Sequence, residues 1–187
     1  MATTINADTS DGLKLIADTS GEIELQSAGT TIATVNSTGL AMASGKTLTT
    51  NAPAFSAYPS AEQTLSSGTW AVLAFNTEVF DTNSNYDTST YAFTPTVAGY
   101  YNFNAVVRSN GASSRFYTSF FKNGTTSYYG NDFNFSATSL SSNFSALVYM
   151  NGSTDYMTVR GFLQGGGGLV LGASASVFYS AFLARAA

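Results

Sequence analysis

The run Phe80-Asp-Thr-Asn-Ser-Asn-Tyr-Asp-Thr-Ser-Thr-Tyr-Ala-Phe-Thr-Pro-Thr-Val-Ala-Gly-Tyr-Tyr-Asn-Phe103 sets the grammar of most of this chain. It opens on Asp, Asn, Ser and Thr, which favour turns, and then gives two strand signals, Tyr86–Phe93 and Val97–Val107. The same signals recur at short, even spacing on both sides. Phe55–Tyr58 and Thr69–Phe75 precede the run; Arg115–Lys122, Thr126–Phe133, Leu140–Met150, Thr154–Leu163 and Ala175–Ala184 follow it. Asn123-Gly124 and Asn151-Gly152 read as hairpin turns, because both central residues of a type I′ turn need positive φ. No segment shows a helical period. Nine strands within residues 52–187 predict an all-β sandwich or jelly roll.

Several of these strands are apolar on both faces. In Arg115–Lys122, Phe116 and Phe120 share one face while Tyr117 and Phe121 share the other. In Ser176–Leu183, Phe178 and Phe182 oppose Val177, Tyr179 and Leu183. A sandwich strand normally needs one apolar face and leaves the other to water. The second face is therefore expected to meet another subunit.

Residues 1–51 are of a different kind. All fourteen Phe, all eleven Tyr and the lone Trp70 lie beyond them, so this segment lacks the side chains that bury most apolar area. It reads as short strands introduced by glycines, as in Gly21-Glu-Ile-Glu-Leu25 and Gly29-Thr-Thr-Ile-Ala-Thr-Val35, and Ala-Asp-Thr-Ser occurs at 7–10 and again at 17–20. Such strands offer about two apolar side chains each, and an isolated hairpin of that kind is marginal in water. Winding three chains together would give Ile23, Leu25, Ile32, Val35, Leu40 and Leu48 a shared core and pair the open strand edges. The expected organisation is a β-rich trimeric arm over 1–51 and a head over 52–187, divided near Pro53. The arm also resembles shaft segments of bacteriophage fibre proteins, through Gly29-Thr-Thr-Ile-Ala-Thr-Val-Asn-Ser-Thr-Gly-Leu-Ala-Met-Ala-Ser-Gly-Lys-Thr-Leu48.

The head resembles the complement C1q-like globular domain, within the tumour necrosis factor fold. Asn85-Tyr-Asp-Thr-Ser-Thr90, Phe93-Thr-Pro95 and Gly99-Tyr-Tyr-Asn-Phe103 follow that family's order and spacing. Phe121-Lys-Asn-Gly124 is similar to its Lys-Asn-Gly hairpin, and Ser176-Val-Phe-Tyr-Ser-Ala-Phe-Leu183 to its terminal strand, with Ala181 where Gly is usual. Gly152-Ser-Thr-Asp155 departs from the family's Gly-Asp. The resemblance implies a ten-strand jelly roll that forms a homotrimer. It also implies that Tyr101, Phe103, Phe178 and Phe182 serve the subunit contact or the core beside it.

Composition excludes several functions. Lys and Arg total seven, scattered without a basic run in a chain of net charge −4, which argues against nucleic acid. There is no Cys and no His, so the thiolate nucleophile, the usual neutral-pH base and the commonest zinc ligand are missing. No cofactor is expected, and no enzyme. No apolar run reaches the ~20 residues of a membrane span, and Met1-Ala-Thr-Thr-Ile-Asn-Ala-Asp8 has no signal-peptide pattern. Synthesis in a host cytoplasm is expected.

Two loops carry candidate sites. Asp81, Asn83, Asn85 and Asp87 alternate like the opening of a calcium loop, but Tyr86 replaces the required Gly and Ala92 the bidentate Glu, so a plain polar loop is the competing reading. Tyr128 and Tyr129, with the loop after them, are candidates for an aromatic sugar-binding surface, against ordinary sheet packing. Gly165–Gly168 has neither the Lys nor the helix of a phosphate cradle.

The functional expectation is a non-enzymatic, homotrimeric structural protein at a phage virion surface. In one version it is a tail fibre or tip whose arm attaches to other virion proteins and whose head binds host glycan or protein. In another it is a capsid decoration or head fibre, and in a third a bacterial surface adhesin.

Overall fold

The computed structural model describes residues 21–46, 52–110, 114–134, 139–165, 168–170 and 176–187. The chain divides into two compact units, Met1–Thr50 and Asn51–Ala187. Among the described residues there is no helix.

The first unit contains β1 (Ile23–Ser27), β2 (Thr30–Asn36) and β3 (Gly39–Met42), an antiparallel sheet in that order. Ala28 and Gly29 both take positive φ (49° and 73°), which lets β1 turn directly into β2. Register places Ile23, Val35 and Leu40 in one row across the sheet and Leu25, Ala33 and Met42 in the next. Ile32 falls at the β-bulge opposite Leu25 and Gln26, out of those rows. Ala33 is buried, yet Leu25, Val35 and Leu40 stay exposed, so the apolar stripe is left largely open among the described residues. Leu48 lies outside the described residues.

The second unit is a jelly-roll sandwich. Its strands are β4 (Ala54–Tyr58), β5 (Gln63–Leu65), β6 (Trp70–Val72), β7 (Thr77–Asp81), β8 (Tyr86–Asp87), β9 (Ala92–Phe93), β10 (Gly99–Asn110), β11 (Arg115–Lys122), β12 (Thr126–Asn134), β13 (Ser139–Met150), β14 (Met157–Gln164), β15 (Gly168–Val170) and β16 (Phe178–Ala186). In the first sheet β10 is flanked by β13 on one edge and by β16 on the other, and β16 continues through β4 to β7. The second sheet runs β12-β11-β14-β9-β8, with β6 beside β14. Strands consecutive in the chain mostly alternate between the sheets, as a jelly roll requires.

The strict alternation of burial along β10 shows why this sequence makes a sandwich. Gly99, Tyr101, Phe103, Ala105, Val107 and Ser109 are buried, and the residues between them are half-buried or exposed. Gly99 is needed at the start: a β-carbon there would strike the Arg185 carbonyl and lie 2.7 Å from Leu183 Cδ1. The core between the sheets is aromatic. Phe55 sits between Tyr86 and Phe93, ring centroids 4.5 and 4.6 Å away, and meets Tyr179 edge-on at 4.8 Å. Buried phenols find acceptors: Tyr86 donates to the Phe75 carbonyl at 2.7 Å, Tyr179 to that of Met157 at 3.1 Å and Tyr101 to that of Val97 at 2.8 Å. Burial pushes the Tyr101 phenol up to about 12 and raises those of Tyr86 and Tyr179 as well.

Two local readings of the sequence are corrected. Tyr86–Phe93 is not one strand but the two-residue pair β8 and β9, folded back on itself with Tyr91 at φ 59°. Asp87 makes that reversal, its carboxylate accepting from the Ser89 amide (2.7 Å) and hydroxyl (2.6 Å). Asn151-Gly152 is not a hairpin either, because β13 and β14 lie in different sheets. Gly152 has φ 73°, and the Asn151 side chain accepts from the amides of Ser153, Thr154 and Asp155 to shape a crossing loop. Asn123-Gly124 does form the expected turn, with φ 52° and 72°.

That crossing loop is clasped to the β11–β12 turn by Asp155. The carboxylate accepts from Lys122 Nζ at 2.7 Å, Asn123 Nδ2 at 2.8 Å and the Asn151 amide at 3.0 Å. Burial by itself would raise its pKa, but these donors prevail and hold it below the ordinary value. A depressed folded pKa gives stability that is complete above the unfolded value of about 4 and is lost as pH falls through the lower folded value. Asp155→Asn is therefore expected to cost about 1–3 kcal/mol at neutral pH. The gap to the parent should narrow as pH falls below about 4 and close once the folded-state carboxyl is protonated. Urea midpoints across that range check this, and a gap that is constant with pH would refute the assignment.

Candidate functional site

The outer face of the first sheet is where the structure leaves apolar side chains without cover. Residues of β10 that point away from the core share rows with their neighbours. Tyr100 lies between Tyr149 of β13 and Arg185 of β16, and Asn102 lies between Leu147 and Phe182. Leu147 is 61% exposed and Phe182 49%, with Tyr100 and Tyr149 close behind and their rings 5.6 Å apart, edge to face. Further along the sheet, Val79 and Phe80 of β7 are also exposed. With Ala54, Tyr58, Phe178 and Phe182 they line an apolar groove of about 420 Å3.

A polar group sits in the middle of this face. The Asn102 side-chain oxygen is buried and has no hydrogen-bond partner among the described residues. Positive charge lies at one end of it: Arg185 shares the Tyr100 row, and Lys122 Nζ, paired with Asp155, donates to the Tyr149 carbonyl at 2.7 Å and lies 5.7 Å from its ring. The rest of the face is apolar and suited to take another protein surface.

Of the residues singled out from sequence, Tyr101 and Phe103 are fully buried in the core, while Phe182 stands on the exposed face and Phe178 is half-buried beside it. Tyr128 packs against the hydrophobic core, so it offers no outward platform; the side chain of Tyr129 lies outside those described. On the second face of β11, expected to meet another subunit, Phe121 is buried with Trp70 5.1 Å away, while Tyr117, 6.0 Å from Trp70, stays half-buried. Tyr100, Leu147 and Tyr149 escaped the sequence reading. The available signal was that Leu147-Val-Tyr-Met150 is apolar at both parities.

In the Asp81–Asp87 loop the side-chain oxygens are taken up by other protein groups. Asp81 accepts from the amides of Asn83 (3.2 Å) and Tyr86 (2.7 Å). The Asn83 side-chain oxygen accepts from Thr82 Oγ1 at 2.8 Å, and that of buried Asn85 from the Thr96 amide at 3.3 Å. Ser89, through its hydroxyl and its amide, pulls the Asp87 carboxyl down to about 2. Among the described residues no cluster of three or more His, Cys, Asp or Glu could hold a metal ion. EDTA is therefore expected to leave the melting temperature unchanged. A drop of several degrees, restored by calcium, would return this loop to the list of metal sites.

Comparison with known proteins bears on the second unit. The family model for the C1q domain matches residues 54–183. The globular domain of zebrafish complement 1qA is similar at 21% identity with a TM-score of 0.56, covering 72% of this chain and 99% of that one. Eiger TNF from S. frugiperda is similar at 12% identity and TM-score 0.54, covering 73% and 93%. PRD1 vertex protein P5 follows at 10% identity and TM-score 0.52, covering 71% and 97%. At these identities the solved structures speak for the fold alone. No curated protein matches the chain.

Proposed function

The chain belongs to the C1q domain family, and from that premise we propose that it is a homotrimeric, non-enzymatic structural protein of a bacteriophage particle. Its arm joins other virion proteins, and its head projects from the virion surface and binds host glycan or protein. The observation that carries the reading is the exposed set Tyr100, Leu147, Tyr149 and Phe182 on one face of the first sheet. Monomeric soluble proteins seldom leave such a patch open, and only 10% of this chain is charged to offset it. Packing three copies of one face around a shared axis covers it by a closed symmetry. The exposed side chains of Leu25, Val35 and Leu40, with half-buried Ile23 in the same rows, support the same threefold logic for the arm.

A second version, a capsid decoration or head fibre, draws support from the fold shared with a protein named for a vertex. Light scattering on the full chain is expected to give three times the 19.6 kDa protomer mass at all micromolar concentrations. Gold-labelled antibody to the chain then places it. Label at the tail favours the tip, label on the shell favours decoration, and label on bacterial cells but on no particle defeats the virion reading.

A further inference from the structure

The outer face of the second sheet carries a different chemistry. Its outward side chains form rows across β12, β11, β14 and β6: Asn134, Arg115 and Gln164 in one, then Asp132, Tyr117, Phe162 and Trp70. Trp70 is the hub, with ring centroids 5.1 Å from Phe121, 5.6 Å from Phe162 and 6.0 Å from Tyr117. Trp70, Tyr117 and Phe162 are half-buried, so this mosaic remains open to solvent. With Arg115 and Gln164 they line a depression of about 250 Å3.

Two guanidinium groups flank the mosaic and differ in one respect. Arg115 lies 4.0 Å from the Tyr117 ring centre and is neutralised by Asp132, with a two-pronged contact at 2.8 and 3.0 Å. Arg160 lies 4.6 Å from the Phe121 ring centre, but no carboxylate pairs with it among the described residues. Its Nε is buried without a partner. Its Nη2 and the Tyr156 hydroxyl converge on Gly124, where a β-carbon would lie 3.4 and 3.0 Å from them. Arg160, Tyr156, Thr90, Thr94 and Thr158 line a second depression of about 420 Å3. Trp70 and Arg160 thus both pack against the Phe121 ring.

We propose that this face binds an acidic saccharide, with a sugar ring stacked on Trp70 and a carboxylate held by Arg160. The C–H face of a pyranose carries slight positive charge and matches the negative face of an aromatic ring. Hydroxyls of Thr and Tyr and the fork of Arg115 supply the polar contacts that orient sugars. The unpaired, half-buried guanidinium of Arg160 selects an anion, since a charge in such a place is stabilised by a partner. The face also lies on the opposite side of the sandwich from the apolar groove. A trimer closed through that groove displays three such sites outward, and paired or tripled engagement raises avidity without new contacts. The inference deepens the reading of the head as a surface-binding unit and rests on that reading for its setting.

The test uses the full chain, and its one tryptophan is the probe, since Trp70 fluorescence reports this face alone. The ligands are sialyllactose, a hyaluronan hexasaccharide and an oligogalacturonate, each beside its carboxyl-reduced form. At least one acidic sugar is expected to shift the emission saturably and to bind about tenfold or more tightly than its reduced form. Arg160→Gln should bring both forms to equal affinity with the mass in solution unchanged, whereas Arg160→Lys should retain part of the preference. No saturable response to any acidic sugar, equal binding of the two forms, or indifference to Arg160→Gln each overturns the proposal. Failure here with a trimer found on particles leaves the virion reading standing. Sugar binding by a chain absent from particles defeats that reading and keeps the site.

Discussion

Leu147→Asp is expected to release a folded monomer of 19.6 kDa from the trimer. In the protomer Leu147 is 61% exposed, so the substitution costs the fold itself within about 0.5 kcal/mol, as for other surface changes. In the trimer it would bury a carboxylate whose row neighbours, Asn102 and Phe182, carry no positive charge. An unpaired buried charge costs roughly 3–5 kcal/mol, and symmetry repeats it in every copy. Association should therefore fail at micromolar concentration, while circular dichroism and the chemical midpoint stay near those of the isolated protomer. Thr88→Asp, in the exposed reversal between β8 and β9, is the control and should remain trimeric. A Leu147→Asp chain that still weighs three protomers would move the subunit contact off this face, whatever the fold resemblance suggests.

The second large effect lies in the core. Phe55→Ala should lower stability by about 3–5 kcal/mol, the usual cost of emptying a buried aromatic site. The upper part of that range is expected because of what surrounds the ring. Tyr86 and Phe93 stack on its two faces and Tyr179 closes its edge, so three contacts go at once. Neither neighbour can collapse into the space: Tyr86 is tied to the Phe75 carbonyl and Tyr179 to that of Met157. The melting temperature should fall on the order of 10 °C. Phe55→Leu, which keeps most of the volume, should lose less than half as much. Equal losses for the two would mean that the site relaxes and that stacking contributes little.

The sandwich was legible because strand signals recur at short, even spacing between turn residues, and along β10 burial then alternates strictly, a local property that the pleat imposes. The resemblance to C1q-like heads rested on turn and strand residues close together in the chain, and the family match over 54–183 supports it. What stayed hidden depends on distant pairing. Asn151-Gly152 has the residues of a hairpin, yet β13 pairs with β10 and β14 with β11, a choice made by the whole sandwich. Tyr86–Phe93 looks continuous until Asp87 turns the backbone. Trp70 gave no sign that it would pack against Phe121 and beside Tyr117, because β6 arrives from about fifty residues away by way of β14. Phe121 consequently read as a subunit contact. Val79 and Phe80 were missed because β7 has no clear alternation; a register shift interrupts its pairing with β4.

The position of β16 has a consequence for how the head is made. The last strand in the sequence is not at an edge: it pairs with β10 on one side and with β4 on the other. During synthesis β4 and β10 emerge early and wait with open hydrogen-bonding edges until residues 178–186 arrive to join them. Until then the first sheet is two separate pieces, and its contacts are all of long sequence separation, which slows closure. Nascent chains translated side by side on one message therefore have a window in which the β16 of one can fill the gap in another. For the trimer proposed above, the timing of translation would then bear on assembly alongside the chemistry of the finished surface.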